Sequence, residues 1–149
     1  MKRLLLSLFL AALLIPNFSS AIETTLKENY KPGETLIISI AGNFLTPLNA
    51  DSIAFYSGRI PIPMPYTISK IEDRYYLYAL LQSQVRNYTL KIKNAHFMEN
   101  GLENKLDLEY NFSVSGNITD FSIDPGFVIA RDEFSVSLQS KSKSLVVTA

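Results

Sequence analysis

The 149-residue chain carries fourteen acidic and fourteen Lys or Arg residues, one histidine, no cysteine and no tryptophan. That length allows one domain of about 100 residues and part of a second, and excludes a large multidomain enzyme. Without cysteine there is no disulfide framework and no lipid-modified cysteine anchor; with balanced charge and no basic patch, nucleic acid is not an expected partner.

Residues 1 to 21 read as a secretory signal peptide. Lys2 and Arg3 give a positive start, Leu4 to Ile15 form the apolar stretch, and Ser19-Ser20-Ala21 supplies small residues for cleavage. A spanning helix needs about 20 apolar residues, so this stretch is too short to cross a bilayer. Membrane contact is expected only through an uncleaved signal segment, and the mature chain is expected to be secreted or at the cell surface. After cleavage, fourteen acids against twelve bases leave a net charge of −2.

From Ile22 onward, short alternating apolar runs rich in β-branched and aromatic residues are separated by turn residues, the pattern of an all-β antiparallel sandwich. Lys31-Pro32-Gly33-Glu34 is the first turn. It feeds a strand with Leu36, Ile38 and Ile40 on one face and Thr35, Ile37, Ser39 and Ala41 on the other. Leu45 to Asp51 reads as a loop and Ser52 to Ser57 as a strand. Ile60 to Pro65 has proline at every second position and cannot complete a ladder, so it is an extended edge or connector.

Tyr66 to Ile71 and Arg74 to Gln82 make a hairpin around Glu72-Asp73, whose second arm is apolar on both faces and is expected to be central or to lie under a partner. Asn87 to Lys93 alternates cleanly. Asn94 to Asn104 is expected to be a loop, and Lys105 to Ser115 the longest strand, with Leu106, Leu108, Tyr110, Phe112 and Val114 inward. About seven strands thus fill residues 22 to 115. Residues 116 to 149 add further strand signals at 120 to 123, 133 to 140 and 145 to 148, too few to enclose a core alone. They are expected to be a partial second β-sandwich unit or docking strands. The final run from Leu145 fits either a natural end or a chain that continues further.

The stretch Tyr30-Lys31-Pro32-Gly33-Glu34-Thr35-Leu36 resembles the turn-and-strand opening of exported immunoglobulin-like or macroglobulin-like sandwich modules, found in tandem in prokaryotic, archaeal-type cell-surface proteins. The resemblance covers residues 24 to about 115 and implies an antiparallel immunoglobulin-like β-sandwich with a spacer, adhesion or assembly role. It brings no catalytic residues. The missing Trp and Cys depart from the antibody-type subfamily.

Chemistry-bearing motifs are sparse. His96 is the only histidine and lies far in sequence from any nucleophile motif, and the glycines form no phosphate-binding loop. Glu99 with Glu103, and Asp107 with Glu109, read as solvated carboxylates rather than a glycosidase pair. Asp120, Asp124, Asp132 and Glu133 gather near the boundary but match no defined calcium loop. No catalytic, metal or cofactor site is therefore expected. Three glycan acceptor sequons begin at Asn87, Asn111 and Asn117. Tyr66, Tyr75, Tyr76 and Tyr78 form a candidate binding patch. The expected role is a non-catalytic structural or adhesion module of a cell-surface protein. Its expected partners are other β-sandwich domains, surface proteins or glycans. The alternatives are a carbohydrate-binding module using exposed tyrosines and a small periplasmic chaperone-like sandwich.

Overall fold

A computed structural model of the chain describes residues 22–130 and 133–140. The signal segment 1 to 21, Asp132 and the run from Leu145 lie outside the described residues. Eleven strands are present among the described residues: β1 (Ile22–Thr24), β2 (Asn29–Tyr30), β3 (Thr35–Gly42), β4 (Ile53–Ser57), β5 (Ile60–Ile62), β6 (Tyr66–Ile71), β7 (Arg74–Leu80), β8 (Arg86–Glu99), β9 (Leu102–Val114), β10 (Phe121–Asp124) and β11 (Ser137–Ser140). One sheet has the order β1-β3-β7-β6, a second β2-β9-β8-β4-β5, and β10 pairs with β11 alone. All pairings are antiparallel except β2 with β9, so the chain's first extended stretch is divided between the two larger sheets. These two sheets pack together around one core, an arrangement compatible with a β-sandwich.

The alternation read from the sequence sets which side chains enter that core. Leu36, Ile38 and Ile40 of β3 and Leu77 and Ala79 of β7 meet Ile53, Phe55, Leu90, Ile92, Phe112 and Val114 from the opposite sheet, each 4 % exposed or less. The turn before β3 places Pro32 at its second position and Gly33 at its third with φ 76°. It is closed by the Glu34 amide donating to the Lys31 carbonyl at 3.1 Å, the pattern of a type II turn. As Pro61 requires, β5 lies at the edge of its sheet, paired only with β4.

The expected loop at 94 to 104 is instead a continuation of the β8–β9 hairpin. Pairing runs from Arg86↔Val114 to Glu99↔Leu102 and closes through Asn100-Gly101, with φ 50° and 78°, as a type I′ turn requires. A bulge accounts for the difference. Ile92 pairs with Leu108 and Ala95 with Leu106, so Lys93 and Asn94 together oppose Asp107. The extra residue reverses the inward parity of β8: Tyr88, Leu90 and Ile92 are buried before it, Ala95 and Phe97 after it. A strict period of two does not survive that shift. The distal half of the hairpin reaches beyond the shorter strands of the other sheet, which leaves Leu102 70 % and Leu106 45 % exposed, contrary to the inward position expected for Leu106. Phe44 closes this end of the core, with its ring 5.6 Å from Tyr75 and 6.5 Å from Phe97 in edge-on contacts.

One core hydroxyl is unsatisfied. Tyr88 stacks on Phe112 at 5.3 Å, and its buried Oη has no hydrogen-bond partner among the described residues. Burial holds its ionisation above the ordinary tyrosine value. Removing a buried polar group that lacks a partner relieves its desolvation cost. Tyr88→Phe is therefore expected to raise stability by about 1 kcal/mol, read as a higher urea midpoint at unchanged slope.

Candidate functional site

The most developed feature outside the core is the path of residues 119 to 127 over the outer face of the first sheet. It begins where the Thr119 amide donates to the Pro32 carbonyl at 3.0 Å, on the turn that opens β3. Thr119 is 8 % exposed, and its hydroxyl donates to the Phe121 carbonyl at 3.0 Å. Two hydrogen bonds then join β10 to β3: Thr35 Oγ1 donates to the Ile123 carbonyl at 2.7 Å and accepts from the Ile123 amide at 2.9 Å. One threonine hydroxyl thus satisfies both main-chain groups of a residue 88 positions away.

Beyond β10, Gly126 and Phe127 cover the outward side chains of β7. The Phe127 ring lies 5.3 Å from Tyr78 and 6.3 Å from Tyr76, edge-on to both. Gly126 is required by proximity. A Cβ there would sit 2.7 Å from Tyr78 Cβ, 2.9 Å from Tyr78 Cγ and 3.1 Å from Ile37 Cγ1. This is why β7 is apolar on both faces: one faces the core and the other lies under this segment.

The four tyrosines expected as one patch are consequently divided. Tyr75 is in the core at 4 % exposure. Tyr76 and Tyr78 face outward beneath Phe127. The Tyr66 hydroxyl donates to the carbonyls of Ala50 and Ile53, the latter at 3.1 Å, and its ring packs on Phe55. Burial, reinforced by the nearby Asp51 carboxylate, raises the Tyr66 pKa. These positions form no shared, exposed aromatic platform.

The sequons fare differently. Asn117 is exposed, in the bend between β9 and β10, but its sequon threonine is the buried Thr119. The other two sequons lie opposite one another: Asn87 pairs with Ser113 and Thr89 with Asn111. Thr89 Oγ1 donates to Asn111 Oδ1 at 2.8 Å. Ser113 Oγ donates to Asn29 Oδ1 and contacts the Glu28 carbonyl at 3.3 Å.

Of the remaining candidates, His96 is held between Thr46, with Nδ1 3.0 Å from Oγ1, and Glu103, with Nε2 2.6 Å from Oε1. It ties the loop after β3 to the distal hairpin. Glu99 is at the tip of that hairpin, and Glu109 pairs with Lys91 at 2.8 Å. Among the described residues no group of three or more His, Asp or Glu side chains could hold a metal ion. Asp120 lies just before the docked β10 and Asp124 is its last residue, and Glu133 precedes β11.

Asp107 secures the β8 bulge, accepting from the Asn94 amide at 2.8 Å. That bond, and then Lys91, hold its pKa below the ordinary carboxylate value of about 3.9. A depressed folded pKa stabilises the protein above the unfolded value, and the contribution is lost as pH falls through the folded one. The protection factor of the Asn94 amide, its exchange relative to an unstructured chain at the same pH, is therefore expected to fall on acidification below about pH 4, and to be already lost at neutral pH in Asp107→Ala.

In the sequence Thr35 stands out only as part of the opening motif, Thr119 as a sequon residue and Gly126 as a turn residue, and none of them, nor Phe127, is marked as part of a docked segment. The only available signal was the two-sided apolarity of β7, which announces a cover without naming it. No protein-family model matches this sequence, and no curated protein is significantly similar to it.

Proposed function

We propose that the chain is a non-catalytic, exported structural and adhesion module of a cell-surface protein, in which an immunoglobulin-like sandwich fixes the position of a second β unit. The observation that carries this reading is the docked segment: Thr119 on Pro32, Thr35 on both main-chain groups of Ile123, and Phe127 on Tyr76 and Tyr78. A linker between independently moving units has little reason to bury a threonine or to pack glycine against a tyrosine ring. A junction that must hold its angle does.

The strand order supports the immunoglobulin-like description. With β1, β3, β4, β6, β7, β8 and β9 taken in sequence as seven strands, the first, second, fifth and fourth share one sheet, and the third, sixth and seventh the other. β5 extends the second sheet at its edge, and β2 joins β9 in parallel. The β10–β11 pair supports a continuing second unit. Phe121, Phe134, Val136 and Leu138 are 44, 64, 42 and 41 % exposed, an apolar load that two strands cannot cover. Further strands of that unit, or a neighbouring β-sandwich domain, would cover it.

Export is tested by expressing the chain with a C-terminal tag in a prokaryotic host, fractionating the cells and sequencing the N-terminus of the recovered protein. A start near Ile22 in the extracytoplasmic fraction is expected. A chain retained in the cytoplasm with Met1 or Lys2 at its start would overturn the extracellular assignment.

A further inference from the structure

We propose that the outer face of the five-stranded sheet is a saccharide-contacting surface, floored by Asn29, Asn87, Thr89, Asn111 and Ser113. It goes beyond the junction role and does not depend on it, because this face belongs to the opposite sheet. Two adjoining depressions of about 630 and 340 Å³ lie here, sharing Gly58 and Thr89 in their linings. Gly58 is at the tip of the β4–β5 hairpin with φ 60°, and a Cβ on it would meet nothing within 4 Å, so the passage between the depressions is open.

The floor is the unusual part. The outward positions of a solvated strand face are commonly Lys and Glu, as Lys91, Lys93, Asp107 and Glu109 are further along the same two strands. Here β8 and β9 place Asn87 opposite Ser113 and Thr89 opposite Asn111, and β2 adds Asn29 beside Ser113. The hydroxyls are spent inside this block: Thr89 Oγ1 donates to Asn111 Oδ1 at 2.8 Å, and Ser113 Oγ donates to Asn29 Oδ1. Each bond fixes an amide by its oxygen, which leaves the NH2 groups of the exposed Asn29 and Asn111 without a hydrogen-bond partner among the described residues. The Asn87 side chain has no hydrogen-bond partner among the described residues. It offers both donors and an acceptor.

Fixed, uncharged groups of both polarities match a ligand whose own groups donate and accept at once, and vicinal sugar hydroxyls do so. An anion would need unpaired cations. Among the described residues the larger depression has no cation in its lining and carries the Glu28 carboxylate; of the two cations at the smaller one, Lys91 is committed to Glu109 at 2.8 Å and lies 5.6 Å from the Tyr56 ring, and Arg59 stands at its wall. An apolar peptide would find no aliphatic side chain among the described residues there: the apolar lining is aromatic, with Tyr88 and Phe112 buried and Tyr56 beside Lys91.

The saccharide has two sources, a glycan of another molecule or one linked to Asn87 or Asn111, since both head sequons. The test uses the secreted chain. Its intact mass and tryptic glycopeptides are measured, and the unglycosylated chain is titrated with cellotetraose, mannotetraose and chitotetraose while amide and Asn side-chain NMR shifts are followed. Shifts confined to Asn29, Asn87, Thr89, Asn111 and Ser113, weakened about tenfold or more in Asn87→Leu and in Thr89→Val/Asn111→Leu, establish binding of an external glycan. Hexose-containing mass on Asn87 or Asn111 establishes the linked source. Asn87→Leu changes an exposed side chain without partners, so it keeps the test valid if the double variant fails to fold. A bare mass together with no shifts, or shifts elsewhere on the surface, overturns the proposal.

Discussion

Replacing Gly126 with valine is expected to release residues 119 to 127 from the outer face of the first sheet while leaving both large sheets folded. The new Cβ would stand 2.7 and 2.9 Å from Tyr78 Cβ and Cγ. Those atoms belong to the root of a side chain on a central strand, so they cannot swing aside, and the segment must lift instead. Overpacking of this kind costs about 1–3 kcal/mol. Because the segment is held by only a few bonds and the two ring contacts of Phe127, the cost falls on its local opening rather than on global unfolding. Limited proteolysis between Asn117 and Phe127 should accelerate by about fivefold to a hundredfold, since each 1.4 kcal/mol is a factor of ten. Unchanged cleavage would mean that the segment does not rest against Tyr78.

Leu77→Ala should produce the largest loss of global stability. Leu77 is fully buried in β7, flanked by Ile38 of β3 and Ile68 of β6 in the register of the first sheet. Truncating such a leucine removes its transfer free energy and leaves a cavity between two sheets that cannot collapse onto it, about 2–5 kcal/mol. For a body of this size the midpoint of thermal unfolding should fall by at least about 8 °C. Leu102→Ala, at a position 70 % exposed, is the matched control and should stay within about 0.5 kcal/mol of the parent. Equal effects of the two substitutions would refute the assignment of the core.

Local chemistry made much of this architecture legible. The Pro-Gly turn, the proline-bearing edge of β5, the Glu72-Asp73 hairpin, the alternation of β3 and that of β8 as far as Ile92 each depend on residues adjacent in the chain, and each forms as the sequence indicates. The distal hairpin was hidden because one inserted residue at Asn94 changes the parity of everything after it, and a periodicity reading has no access to a hydrogen bond from a residue thirteen positions away. The tyrosine patch failed for a related reason. Alternation divides Tyr75 from Tyr76 and Tyr78 correctly, but whether the outward pair is bare or covered depends on Phe127, about fifty residues downstream. The sequons were visible as motifs, and only the register revealed that Asn87-Tyr88-Thr89 and Asn111-Phe112-Ser113 lie face to face.

Amide hydrogen exchange at Ile123 tests the central claim most directly. Its N–H donates to Thr35 Oγ1, a side chain of the first sheet, so its protection reports the junction itself rather than the stability of an isolated β10–β11 pair. A fixed junction predicts that Ile123 exchanges far more slowly than an unstructured chain, and that Thr35→Val and Gly126→Val each abolish the protection while the amides of β3 and β7 keep theirs. An Ile123 amide that exchanges at the unstructured rate in the unaltered protein would contradict the claim, and the segment would then be a tether rather than a clamp.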